Sequence, residues 1–159
     1  MGQSTRAMKI FEENGFYFPN KPVYEIPNLP RDITDLGDEA LMELFVCLTS
    51  WSDYLSSQFA VAAIDEREAG RTVSVLEAKA MIANWKGGSG DRVAIAKANI
   101  ALDPGVATAN EDLEAKHAYR KLIETLVQNV DRDSALVSRE LTRRTSDSGV
   151  KSRARRYAS

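Results

Sequence analysis

The chain is short of the residues that most site chemistry needs. Its 159 residues include one histidine and one cysteine. The lone cysteine, Cys47 in "LFVCLTSW", excludes an internal disulfide and fits a reducing compartment, where a buried thiol stays inert. The lone histidine, His117 in "LEAKHAYRK", is expected on a helix surface or half buried. One of each makes no zinc site without several well-placed carboxylates. As a nucleophile and base they would need a closeness that nothing in the sequence implies. The glycine-rich "GGSGDR" lacks the Gly-Lys-Ser/Thr of a phosphate loop and reads as a turn. The acidic "IDEREAG" at 64–70 has no metal-loop spacing and reads as a solvated helix face. No catalytic, cofactor-binding or metal-ligating residue is therefore expected. No apolar run approaches the ~20 residues of a membrane span, so a membrane is not an expected partner. No secretory signal is visible, and "MGQSTR" carries Arg6 where a myristoylation motif needs Ser or Thr.

Proline is scarce beyond the first 36 residues. Four of the five prolines, at 19, 22, 27 and 30, fall in "GFYFPNKPVYEIPNLP". Proline removes backbone donors and fixes φ, so residues 1–36 read as an extended arm. The arm also holds Phe11, Phe16, Tyr17, Phe18 and Tyr24. Aromatics on an extended strip pack either on the chain's own helices or on a neighbouring subunit. A short helix over Thr5–Asn14, closed by Gly15, fits inside the arm.

What is present in abundance is helical periodicity. In "DLGDEALMELF", Gly37 suits the N-cap, and Asp38 and Glu39 suit the positive end of the helix dipole. Leu36 and Leu41 stand where a hydrophobic staple would close the entry. Positions 41, 48, 55, 62, 69, 76 and 83 are all Leu or Ala, seven residues apart. Leu44, Phe45, Trp51, Phe59, Val73 and Ala80 form a second stripe. Such a repeat keeps one seam facing a partner helix. The spacing predicts a helix from Asp38 to about Lys86, ended by "KGGSG" and about 70 Å long at 1.5 Å per residue. A seam that long needs a second long helix or other subunits.

A second helical run begins near Asp91, with Val93, Ala96, Ile100 and Ala101 on its apolar face. "DPG" at 103–105 places an N-cap before an N1 proline, which predicts a break or kink. Periodicity resumes at Val106 and continues to Leu141, and the core helix is expected to fade near Thr145. The fold class is all-α: a long antiparallel, coiled-coil-like hairpin over 37–146, with the Pro- and aromatic-rich arm at 1–36 and a flexible basic tail at 147–159. Folding back at 87–90 would put Gly70 across from Pro104. Three helices with a true turn at Pro104 is the alternative.

Charge is unevenly placed. Net charge is −2, yet Arg139 to Arg156 holds seven basic residues and two acids, leaving the other residues at −7. The basic set is Arg139, Arg143, Arg144, Lys151, Arg153, Arg155 and Arg156. A basic end on an acidic body suits phosphate neutralisation without sequence readout. The bland alternatives are a solvated tail and cations attracted to the end of a helix dipole.

A resemblance sharpens this. "LTSWSDYLSSQ", "LEAKAMIANWKGGSGD" and "HAYRKLIETLVQNVDRDSALVSRELTRR" together resemble phage recombination mediators of the T4 type (UvsY-like), over about residues 45–144. The chain is also similar to small helical proteins of actinobacterial phages. The resemblance implies a non-enzymatic, ring-forming homo-oligomer that binds single-stranded DNA. It also implies partnership with a recombinase and a single-strand-binding protein. That family places basic residues before the glycine turn, where this chain offers Lys79 and Lys86. The expected location is the cytoplasm of an infected host. A structural virion or assembly protein, acting through protein contacts, is the competing expectation.

Overall fold

A computed structural model describes the backbone of residues 5–84 and 90–157, and the side chains of 8–83 and 93–148. Among these described residues, four α-helices follow one another: α1 (Thr5–Glu13), α2 (Asp38–Asn84), α3 (Gly90–Ala101) and α4 (Pro104–Tyr157). A short 3-10 turn, Ile33–Asp35, precedes α2, and the described residues contain no strand. The fold is all-α, a helical hairpin built on α2 and α4. The chain forms two compact units, each drawing on both long helices. One is Phe18–Ser57 with Glu124–Ser159; the other is Met1–Tyr17 with Gln58–Ile123.

In the first of these units, α2 begins where sequence chemistry places it. Leu41 N–H donates to the Gly37 carbonyl at 2.9 Å, which makes Gly37 the N-cap. Leu36 packs against the cluster that holds buried Leu41 and completes the staple. Leu41, Leu48, Trp51 and Leu55 of α2 meet Val130 and Val137 of α4 in one buried cluster. The Ser52 hydroxyl donates to Asp131 across the seam at 2.6 Å, and Arg144 reaches Asp38. Numbers rise along α2 as they fall along α4, so the helices run antiparallel. The arm packs on this core through aliphatic Ile26, Leu29, Ile33 and Leu36. Of the arm's aromatics, Tyr17 is 83% exposed, and Tyr24 is also exposed.

In the second unit, α1 ends in a Schellman motif. Gly15 takes φ 80, its N–H donates to the Glu12 carbonyl, and Phe16 N–H donates to the Phe11 carbonyl. The Phe11 and Phe16 rings lie 5.2 Å apart, the hydrophobic contact that accompanies this cap. Two arm aromatics are thus used locally. Ala62, Ala69 and Val73 of α2 are buried, as are Ala96 and Ile100 of α3 and Val106 and Ile123 of α4. The heptad series is therefore buried from Leu41 through Ala69, half-buried at Leu76 and exposed at Ala83.

One alternative is resolved and two expectations are corrected here. The Pro104 break is a true helix start. The Asp103 carboxylate accepts from Gly105 N–H at 2.9 Å and Val106 N–H at 3.1 Å. The chain therefore has three helices after the arm among its described residues, and α4 is the long partner of α2. Gly70 consequently faces Leu113, not Pro104: a Cβ built there would lie 3.9 Å from Leu113 Cδ1. The assumed register treated everything after 91 as one helix, and the break at 103 removes α3 from that count. The basic end also differs from expectation, because α4 does not fade at Thr145 but continues to Tyr157. The expected turn at 87–90 lies largely outside the described residues.

Gly70 yields a direct prediction. Its φ is not positive, and a methyl group added there would make only ordinary van der Waals contact. Gly70→Ala should stabilise the protein by about 0.5–1 kcal/mol, read by thermal denaturation, because glycine is the costlier residue inside a helix. A loss of stability would show that α2 and α4 approach more closely there than 3.9 Å implies.

Candidate nucleic-acid interface and the polar networks of α4

The α4 heptad register that buries Ile123, Val130 and Val137 comes next to Arg144. A guanidinium at a seam position must find partners, and Arg144 finds them in the arm and at the start of α2. Nε donates to Glu140 Oε1 at 2.7 Å. Nη1 donates to the Leu36 carbonyl at 2.8 Å and to Asp38 Oδ1 at 2.7 Å. Nη2 donates to the Thr34 carbonyl at 3.0 Å. The carbonyls exposed around the 3-10 turn are thus satisfied by one side chain (a role suited to arginine, with five fixed donors). Asp32 shapes the same turn by accepting from Thr34 N–H at 2.8 Å and Thr34 Oγ1 at 2.6 Å. Those bonds, the hydroxyl's first, hold the Asp32 carboxyl below its ordinary range.

Arg143 closes the same network from the outside. It grips Glu140 with Nε at 2.8 Å and Nη2 at 2.7 Å, and reaches Asp147 with Nη1 at 3.0 Å. Glu140 is only 6% exposed and lies between two guanidinium groups. The hydrogen bonds from Arg143 and then Arg144 pull its pKa down to about 2, against the opposing cost of burial. Both arginines hold their protons more firmly, chiefly through Glu140.

These contacts divide the expected nucleic-acid residues. Arg144 is held by ion pairs and backbone carbonyls, whereas Arg143 pairs with Glu140 and Asp147 and keeps its side chain 55% exposed. Arg139 and Lys79 are exposed. Lys86 lies outside the described residues. Lys151, Arg153, Arg155 and Arg156 sit on the helical backbone that ends at Tyr157, with side chains outside those described. From Ser148 to Tyr157 that segment carries four basic residues and no acid.

Glu66 was missed by sequence reading, which assigned "IDEREAG" to a solvated face. Its side chain is 21% exposed and bridges α2 to α4 within its unit. Oε1 meets His117 Nδ1 at 2.6 Å, and Oε2 accepts from Arg120 Nε. The His117 bond, followed by Arg120, holds the Glu66 carboxyl below its usual range against desolvation. Arg120 falls at the α4 seam position seven residues before Val127, which is why an acid opposite is required. A recognisable signal existed: a basic residue interrupting one heptad stripe and an acid one turn from the other.

His117 and Cys47 belong to different compact units. No group of three potential metal ligands occurs among the described residues. A cavity of about 500 Å³ lies where the end of α2, α3 and the start of α4 meet. Lys97, Glu77 and Asn110 line it beside Met81, Ile100 and Val106, a mixed wall without a convergent reactive set. No described helix is long and apolar enough to cross a membrane. The chain matches no protein-family model, no curated protein and no solved structure at a significant level.

Proposed function

We propose that this chain is a non-enzymatic, self-assembling helical protein whose working surface is the outside of its hairpin. A structural virion or assembly component of a phage is the specific form of this reading. The supporting observation is that α4 leaves large apolar side chains exposed in each unit, Tyr119 and Leu122 in one and Leu126 and Leu136 in the other. Large exposed apolar patches on soluble proteins mark protein contacts. The use of Arg144 in ion pairs and carbonyl contacts favours this order of readings, because one of the strongest candidate phosphate ligands is occupied within the chain.

A second reading, a recombination mediator that binds single-stranded DNA and helps load a recombinase, draws on the acid-free basic segment 148–157 and exposed Arg139. Any DNA contact would then draw on Arg139, Lys151, Arg153, Arg155 and Arg156, with Lys79 and Lys86 as further candidates. Light scattering at low and high salt, with and without single-stranded DNA, separates the two. Assembly through apolar seams gives multimers without DNA that persist in high salt. A DNA-driven function gives a complex that dissociates steeply as salt rises and is lost when residues 148–159 are deleted. A monomer that ignores DNA contradicts both.

A further inference from the structure

The cavity of about 500 Å³ in the second unit has the size of a small-ligand site, about 300–1,000 Å³. Helical spacing builds it. Ser74, Glu77, Ala78 and Met81 fall at i, i+3, i+4 and i+7, so one stripe of α2 forms a wall. Lys97, Ile100 and Ala101 repeat that spacing on α3, and Val106 and Asn110 add a third wall from α4. All three walls lie within Gln58–Ile123 of one compact unit. Ile100 and Val106 are buried and make an apolar floor. Ala78 and Ala101, with one methyl group each, leave the space above it open.

Glu77 on α2 and Lys97 on α3 are both exposed, so the site is open to solvent. Among the described residues neither forms an ion pair, and the Asn110 side-chain amide makes no hydrogen bond. The Ser74 hydroxyl donates to the Gly70 carbonyl at 3.0 Å and keeps its lone pairs as acceptors. The lining therefore offers one anion, one cation, an amide that both donates and accepts, and a greasy floor. A simple anion would face Glu77, a simple cation would face Lys97, and a hydrophobe would use neither. We propose that this cavity binds a short zwitterionic peptide, about two or three apolar residues with free ends. Its carboxylate pairs with Lys97, its ammonium with Glu77 and a backbone amide with Asn110. Its side chains rest on Ile100, Val106 and Met81. The one hydroxyl in the wall has no base beside it and already donates to Gly70, so the site binds peptide without cleaving it. The proposal goes beyond the assembly reading and does not rest on it, since every contact falls within one chain.

Calorimetric titration of the full chain with leucyl-leucine tests it. Saturable binding is expected, and N-acetylation or C-terminal amidation of the peptide should each weaken it several-fold. Glu77→Gln should weaken the free peptide but not the acetylated one. Lys97→Gln should weaken the free peptide but not the amidated one. Ala78→Leu, which fills the cavity from an exposed helix position, should abolish binding with helix content unchanged by circular dichroism. Ala101→Leu, also at an exposed position, gives the same readout from the opposite helix. No saturable binding to the unmodified chain overturns the proposal. So do blocked peptides that bind as tightly as the free one, and so does binding that survives all four substitutions, which would place the peptide elsewhere.

Discussion

Replacing Leu48 by alanine lowers the unfolding free energy by about 2–5 kcal/mol, the range for truncating a fully buried leucine. Leu48 is 0% exposed and sits in the cluster of Leu41, Trp51, Leu55, Val130 and Val137. Its loss removes apolar burial and leaves a cavity between two long helices. Those helices are tied by a thin core, so few neighbours can collapse into the gap. The matched control is Leu122→Ala on the exposed face of α4, expected within about 0.5 kcal/mol of the parent in the dissociated protein. Denaturant titration at fixed, dilute protein concentration measures both, because association would otherwise add to apparent stability. A Leu48→Ala loss as small as the Leu122 control would mean that the α2 seam is not buried.

The second large effect belongs to Glu140. Glu140→Gln keeps the shape and removes the charge that Arg143 and Arg144 share. Arg144 would then hold its site with Asp38 and backbone carbonyls alone. Melting temperature should fall more for this substitution than for Arg143→Gln, because Arg143 lies on the exposed side of the network. The pH dependence follows from the same carboxylate. Its folded pKa is about 2 against an ordinary 4.5, so between these values the unfolded chain binds more protons. The contribution is complete above pH 4.5 and disappears as pH falls toward 2. The parent should lose stability through that window, with Glu66 and Asp32, also depressed, adding to the slope. Glu140→Gln should show a shallower slope. Equal slopes in the two proteins would remove Glu140 from the network.

The long helices were legible because heptad spacing is a property of one strand of sequence. Leu41, Leu48, Leu55, Ala62 and Ala69 announced their shared face, and all are buried. Capping was legible for the same reason: Gly15, Gly37 and the Asp103–Pro104 pair act on neighbours a few residues away. Register between helices was not, since it depends on where the break at 103 resets the count. The role of the arginines was half visible. Glu140 precedes Arg143 and Arg144 by three and four residues, the spacing that pairs side chains on a helix. The other partners, Asp38 and the carbonyls of Thr34 and Leu36, lie over a hundred positions away, and no local pattern points to them. Glu66 escaped because its acid neighbours, Asp65 and Glu68, hide its link to α4 in a charged run.

Under the proposed self-assembly reading, the apolar residues that α4 leaves exposed make association the property on which function turns. Sedimentation equilibrium of the unmodified chain beside Leu122→Glu tests it most directly. The unmodified chain should show a mass above that of one chain, rising with concentration and persisting in high salt, while Leu122→Glu stays at the mass of one chain with its helix content intact. Both proteins sedimenting as single chains at every concentration would contradict it.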